Sequence, residues 1–347
     1  MKKSELYPFN YLVLTLVLMV SCIAPKNRKP EIARAKQEAM AHIRFLASDE
    51  LKGRKPGTPE MKIAARYLVE QFRSFGLQSF STTNEYFQAV PVELLTSTSK
   101  KTVSCNNVVG YIEGSDSILK KEYMVLMAHY DHLGVIPDTV NAQSDSIYNG
   151  ARDNGMGITA LLCAAKKFSK NKPLRSVIFL ATTGEEEGMQ GSDFFIKKCP
   201  VPVNSIFFVL NNDGGGYNDT TLIRIGGINE INFSANPWKN KIGSGINCLP
   251  YPEELQYLFK EGDAIIFSEM GIPSITISPG FDKIDEAILK YIHKPTDEAG
   301  DDFNYSYLAK FCLAYYEMSC SIANSGKLPS WKKGSLYYSK GIELYGK

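Results

Sequence analysis

The sequence predicts an α/β fold: a mostly parallel, mixed sheet sandwiched between helices. Four short apolar runs carry that expectation, at residues 123–128 (YMVLMA), 176–181 (SVIFLA), 205–210 (SIFFVL) and 275–278. They are continuous rather than alternating, which is the pattern of strands buried on both faces of a parallel sheet. Stretches with helical spacing separate them, such as Ile158, Leu161, Leu162, Ala165 and Phe168. Charged residues then cluster where the runs end. In open α/β sheets that edge, beyond the carboxyl ends of the strands, is where ligands bind.

Taken in chain order, Ile63, Tyr67, Leu68 and Phe72 mark one face of an amphipathic opening helix, and His42 lies in an earlier helix with a structural role. The first run leads into His129-Tyr-Asp131-His132. Gly155 to Ile158 then opens a helix, which places Asp153 in the loop entering it. The second run leads through Thr182-Thr-Gly to Glu185-Glu186, and the third into Asn211-Asn-Asp213. A Gly-, Asn- and Tyr-rich excursion between Asp213 and Asp263 is the expected place of a substrate pocket. The fourth run ends at Pro279-Gly280 and is followed by His293, and Leu308, Phe311, Cys312 and Tyr315 mark a last helix.

The 347 residues are 44% apolar and 22% charged with a net charge of +2, an ordinary globular balance. No basic stripe marks a nucleic-acid partner. Lys2-Lys3 precede an apolar run from Tyr11 to Val20 that is too short to span a membrane and suits a signal peptide. The run closes on Met19-Val-Ser-Cys22, which resembles a bacterial lipobox. The expected organisation is a lipoprotein-type signal peptide at 1–21, a tether at 22–35, a catalytic domain at 36–326 and a tail at 327–347. Lipidated Cys22 would hold an exported protein on a membrane of the cell envelope, periplasmic or outer; ordinary secretion is the alternative. Six cysteines remain, with no zinc-finger spacing and no pairing legible among them.

Two imidazoles and several carboxylates, with no cysteine among them, form a mixed N/O donor set suited to Zn2+ or another first-row ion. Two ions roughly 3.5–4 Å apart need a bridging carboxylate, terminal ligands on each side and a free base near the shared water. The clusters therefore read as a two-metal hydrolase.

The motifs MAHYDHLG (127–134), NGARDNGMGITALL (149–162), TTGEEEGMQGSDFF (182–195), NND (211–213) and YIHKPTDE (291–298), with an opening stretch at 46–78, resemble the M28 family of zinc aminopeptidases. The resemblance implies the zinc-dependent exopeptidase fold, two Zn2+ per chain, and peptides with a free N-terminus as substrates. It makes Asp153 the bridging ligand, with His129 and Asp213 completing one site and Glu186 and His293 the other. Glu185 becomes the general base, and Gly188-Met-Gln-Gly-Ser192 fixes the register, so that Glu187 is the extra carboxylate. Asp131 is expected to buttress the His129 imidazole, His132 to be a wall or hydrogen-bonding residue, and Asp263 to support the site or be a plain loop residue. Arg152 and Gly214-Gly-Gly depart from the family pattern and are expected to reshape the cleft.

Two other readings stay open. A glutaminyl-cyclase-like acyltransferase shares the fold but typically keeps one zinc, against which the His129 and Asp213 pair argues. A non-catalytic binding ectodomain would have no need of Glu185 and five ligands.

Overall fold

The computed structural model describes residues 28–95, 99–139, 141, 144–233 and 245–346. The expected signal peptide and Cys22 lie outside the described residues. In chain order the strands are β1 (Phe87–Leu95), β2 (Lys100–Ile112), β3 (Tyr123–His129), β4 (Gly134–Val135), β5 (Ile147–Tyr148), β6 (Ser176–Thr182), β7 (Ile206–Asn212), β8 (Leu222–Gly226), β9 (Ile231–Asn232), β10 (Asn247–Pro250), β11 (Ser274–Pro279) and β12 (Ser330–Trp331). The α-helices are α1 (Lys29–Leu46), α2 (Pro59–Phe75), α3 (Met156–Lys170), α4 (Gln190–Lys197), α5 (Ala264–Glu269), α6 (Glu286–Leu289), α7 (Tyr305–Ala323) and α8 (Tyr338–Tyr345).

Eight strands form one sheet in the order β1-β2-β6-β3-β7-β11-β8-β10. The four apolar runs are its parallel centre, β6-β3-β7-β11, and β2 and β8 flank that centre antiparallel. Alternation along each strand supplies both faces. Met124, Leu126 and Ala128 of β3 join a core with α1, α2, α3 and α7, whereas Val125 and Met127 face Phe195 of α4 and Phe267 of α5. The chain leaves β3 for β6 on one side, while β7 lies on the other. That reversal opens a crevice at the carboxyl end of β3, and His129 ends β3.

Three features differ from the sequence reading. Helix α1 begins at Lys29, inside the stretch read as a tether, because Pro30 sits in the first turn where its missing N–H has no helical partner to lose. In α2 the buried face is Met61, Ala64, Ala65, Leu68, Val69 and Phe72, so Ile63 is left 52% exposed. The two alanines let the helix seat closely, turned so that Ile63 faces water. Within the expected tail, residues 327–346 pack on the body: β12 pairs with β9, Trp331 is buried with its indole N–H on the Gly271 carbonyl at 2.9 Å, and the Tyr345 hydroxyl reaches the Ile206 carbonyl at 2.5 Å.

Candidate metal centre

The parallel strands deliver their successors to one place. His129 ends β3, Glu185 and Glu186 follow β6 by a short turn, and Asp213 follows β7 directly. Asp153 lies in an irregular turn at Ala151–Gly155 immediately before α3, and its peptide bond to Asn154 is cis. His293 comes from the turn after α6 and has φ +52°, a left-handed conformation uncommon for a residue with a side chain.

Asp153 stands between the two histidines. Its Oδ1 is 3.3 Å from His129 Nε2 and its Oδ2 is 3.2 Å from His293 Nε2. A second carboxylate faces the same nitrogen of each imidazole: Asp213 Oδ1 lies 3.3 Å from His129 Nε2, and Glu186 Oε2 lies 3.3 Å from His293 Nε2. Glu185 Oε2 is 3.9 Å from His129 Nε2, whereas Glu186 turns to His293 and His132, so the adjacent glutamates face opposite halves. Donor atoms of His129, Asp153 and Asp213 lie within 4.8 Å of one another, as do those of His132, Asp153 and Glu186. All five sequence-predicted ligands and Glu185 are thus together.

The electrostatics are those of a centre short of positive charge. Hydrogen bonds to Asp153 and Glu186 push His293 up to about 10, against the effect of burial. Burial disfavours the His129 cation, yet Asp213, Glu185 and Asp153 outweigh it and hold its pKa well above the usual value. Glu185 is pushed well above the carboxylate range by burial, with Asp213 and Asp263 adding to it and His129 opposing. Buried carboxylates crowded in this way are stable only when paired or when they coordinate cations. The mixed N/O donors, split into two groups sharing one carboxylate, fit a pair of Zn2+ ions.

The surroundings correct and extend the sequence reading. Asp131 does not buttress His129 through its carboxylate, which stands 3.9 Å from Nδ1; the ring is met by the Asp131 backbone carbonyl at 3.2 Å. The fully buried carboxylate accepts the backbone N–H groups of Glu185 and Glu186, each at 3.3 Å, and so fixes the glutamate turn. Burial pushes it to about 7. His132 hydrogen-bonds Glu186 Oε1 through Nδ1 at 2.7 Å. Asp263, 1% exposed, accepts the hydroxyls of Thr182 and Ser192 at 2.6 Å each and ties the end of β6 to α4 beneath the site.

Two supports lie within the quoted motifs but were not singled out by the sequence reading. The buried Arg54 guanidinium donates to the carbonyls of Tyr130, Asn149, Gly150 and Leu46, stapling the loop after β3 to the turn before Asp153. Asp297, fully buried, accepts the backbone N–H groups of Arg152 and Asp153 and pairs with the Arg152 guanidinium at 3.0 Å. Arg152 therefore turns inward, its guanidinium 3.6 Å from the Tyr291 ring centre. Glycine after Asp213 has a steric reason as well: a Cβ on Gly215 would come within 2.5 Å of Ile292, the neighbour of His293.

Above these groups is a cleft of about 390 Å³, lined by the centre and by Met189, Tyr251, Leu258, Phe281, Ile284 and Ile288. Tyr251 and Leu258 come from the excursion in which a pocket was expected; Phe281, Ile284 and Ile288 come from the segment leading to His293.

Residues 107–314 match the family described as Peptidase family M28. The chain belongs to peptidase family M28. A probable zinc metalloprotease of Pyricularia oryzae is 32% identical over 111 residues, 32% of this chain and 21% of that protein. The chain spans well under half the length of the curated relatives it matches first. Among solved structures of similar fold, an aminopeptidase from an Aneurinibacillus species has a TM-score of 0.61 at 14% identity over 86% of this chain and 96% of that one. A Bacteroides thetaiotaomicron glutaminyl cyclase has a TM-score of 0.60 at 16% identity over 82% and 97%. The M28 fold is common to both neighbours, so chemistry must be argued from the centre.

Proposed function

We propose that this M28 chain is a zinc-dependent aminopeptidase with two Zn2+ ions, held by His129, Asp213 and Asp153 on one side and by Glu186, His293 and Asp153 on the other. The observation that carries the reading is Asp153, whose two carboxylate oxygens each face a different imidazole at 3.2–3.3 Å. One donor serving two groups is what a dinuclear site requires.

Zinc bound there would supply Lewis acidity to the scissile carbonyl and to the attacking water. Glu185 takes the proton from that water and later returns it to the departing amine. Its carboxylate faces the centre without being needed as a ligand, which is the placement a proton carrier needs. Asp131 holds Glu185 and Glu186 in place through their backbone N–H groups. The walls formed by Leu258, Phe281, Ile284 and Ile288 favour an apolar first side chain.

The test combines metal analysis with turnover on a panel of aminoacyl-p-nitroanilides. We expect two zinc ions per chain, chelator-sensitive release, and a preference for apolar residues. Glu185→Gln should keep both ions and the fold while kcat falls by a factor of about 10² or more; a variant that kept most of its kcat would remove Glu185 from this role. Cyclisation of an N-terminal glutamine peptide by a one-metal protein, without hydrolysis, would move the chain to the chemistry named for its glutaminyl cyclase neighbour. Export and tethering through Cys22 belong to the same proposal, and Cys22→Ser should release the protein from the membrane fraction.

A further inference from the structure

We propose a second metal site, remote from the first in chemistry and in fold, where α1, α3 and α7 meet: Glu38, His42, Cys163 and Cys312 bind one thiophilic ion such as Zn2+ or Cu+. Glu38 and His42 are four residues apart on α1, so they share a helix face. Cys163 reaches them from α3. One donor atom from each of Glu38, His42 and Cys163 lies within 4.8 Å of the other two. Cys312 of α7 lines the same cavity as Cys163 and Glu38 and is the fourth donor of the proposed site.

The state of His42 points to a ligand. Its ring is 6% exposed, Nδ1 is engaged with the Tyr67 hydroxyl at 2.7 Å, and Nε2 is buried with no hydrogen-bond partner. A buried imidazole nitrogen left unsatisfied needs a reason. A ring fixed through one nitrogen while the other stays open is the arrangement that orients metal-binding histidines. The two thiols are also buried, at 6% and 2% exposure, beside a carboxylate and an imidazole. Two sulfurs with one nitrogen and one oxygen form a soft-biased set, which selects Zn2+ or Cu+ over Mg2+ or Ca2+.

A cavity of about 800 Å³ is lined by Glu38, Cys163 and Cys312. The Lys166 ammonium pairs with Glu38 at 3.0 Å, and its side chain is 38% exposed. It can swing to solvent when a metal cation takes over the carboxylate. Each coordinating thiol loses its proton to solvent on binding, so the step involves no oxidant.

Cobalt separates this site from the proposed catalytic one, whose donors include no sulfur. The reduced full-length chain, stripped with chelator and titrated with Co2+ alone, should develop a near-ultraviolet thiolate-to-cobalt charge-transfer band that saturates by three equivalents of total Co2+, at the intensity of one thiolate-bound ion per chain. Cys163→Ser should roughly halve the band, the double variant with Cys312→Ser should abolish it, and His42→Gln should weaken binding about 10–100-fold. If Cys163→Ser fails to fold by circular dichroism, Cys312→Ser gives the same reading. No band in folded, reduced protein would overturn the proposal, as would a band that survives loss of both thiols. So would a Cys163–Cys312 disulfide in protein isolated from its own compartment. Since the readout is sulfur ligation and not turnover, its failure is distinguishable from failure of the peptidase reading.

Discussion

His129 and His293 share Asp153 and each faces one further carboxylate, yet the His129 side chain is 2% exposed and that of His293 50%. The first ends a strand hydrogen-bonded on both sides by β6 and β7. The second sits on a connecting turn with a left-handed backbone, and it is placed by its neighbours: Gly215 against Ile292, and the Arg152 and Asp297 pair beside Tyr291. The same donor chemistry is therefore built once on the sheet and once on a loop. Precision comes from the first half and adaptability from the second, and the proposed ions should differ accordingly in how firmly they are held.

The largest effect should come from the group the halves share. Asp153→Asn removes the negative charge facing both imidazoles, and we expect loss of both ions with kcat/KM down by about 10³ or more. Metal analysis of the folded variant decides it: two retained ions would mean the halves are independent and Asp153 is no bridge.

The next effect separates the halves. Stepwise chelation of the wild type should release one ion at least about tenfold faster than the other, and His293→Ala should abolish the fast phase alone. His129→Ala should remove the slow phase and, because that position is buried, also lower stability. Proton competition has a defined sign here. In the metal-free chain Asp153 and Glu186 hold the His293 imidazole protonated up to about 10. An ion binding there must displace that proton, so affinity of this half rises with pH through the neutral range and falls as pH drops. Identical release rates at both positions, with no pH dependence, would erase the distinction.

The strand-built half was also the half open to sequence reasoning. His129, Glu185 and Asp213 each follow a buried apolar run by zero to a few residues, and strand geometry fixes where such residues emerge. Asp153 was placed by the helix that follows it and His293 by the fourth apolar run, less closely than the strand ends, while the ligand roles of all five came from motif resemblance; the structure brings them to the same point. Arg54 and Asp297 were not legible, because their partners lie far away in the chain: Arg54 bonds Tyr130, Asn149 and Gly150, and Asp297 bonds Arg152 and Asp153. No local period marks contacts of that range. Asp131 was misread for a related reason. Two residues beyond the strand end, its carbonyl faces the ring while its carboxylate faces the glutamate turn. The segment at 327–346 is short and polar between its aromatics, and the burial of Trp331 and Tyr337 reveals that it packs on the body.

The smallest predicted effect tests whether the loop half depends on its clamp. Asp297→Asn keeps an oxygen for the backbone N–H groups of Arg152 and Asp153 but leaves the buried guanidinium without its counter-charge. Breaking such a pair from one side costs about 3–5 kcal/mol at most, and the retained acceptor and the three aromatic rings around Arg152 should reduce that. We expect a lower Tm and roughly tenfold weaker metal binding at the His293 half, with the His129 half unchanged. The double variant Arg152→Met, Asp297→Leu separates the two consequences. Removing both charges should restore much of the stability, since no unpaired ion remains buried. It should not restore metal affinity, because leucine also removes the acceptor that positions the Asp153 backbone. If affinity returned together with stability, the pair would serve the fold alone, and the His293 half would be as self-supporting as the strand-built one.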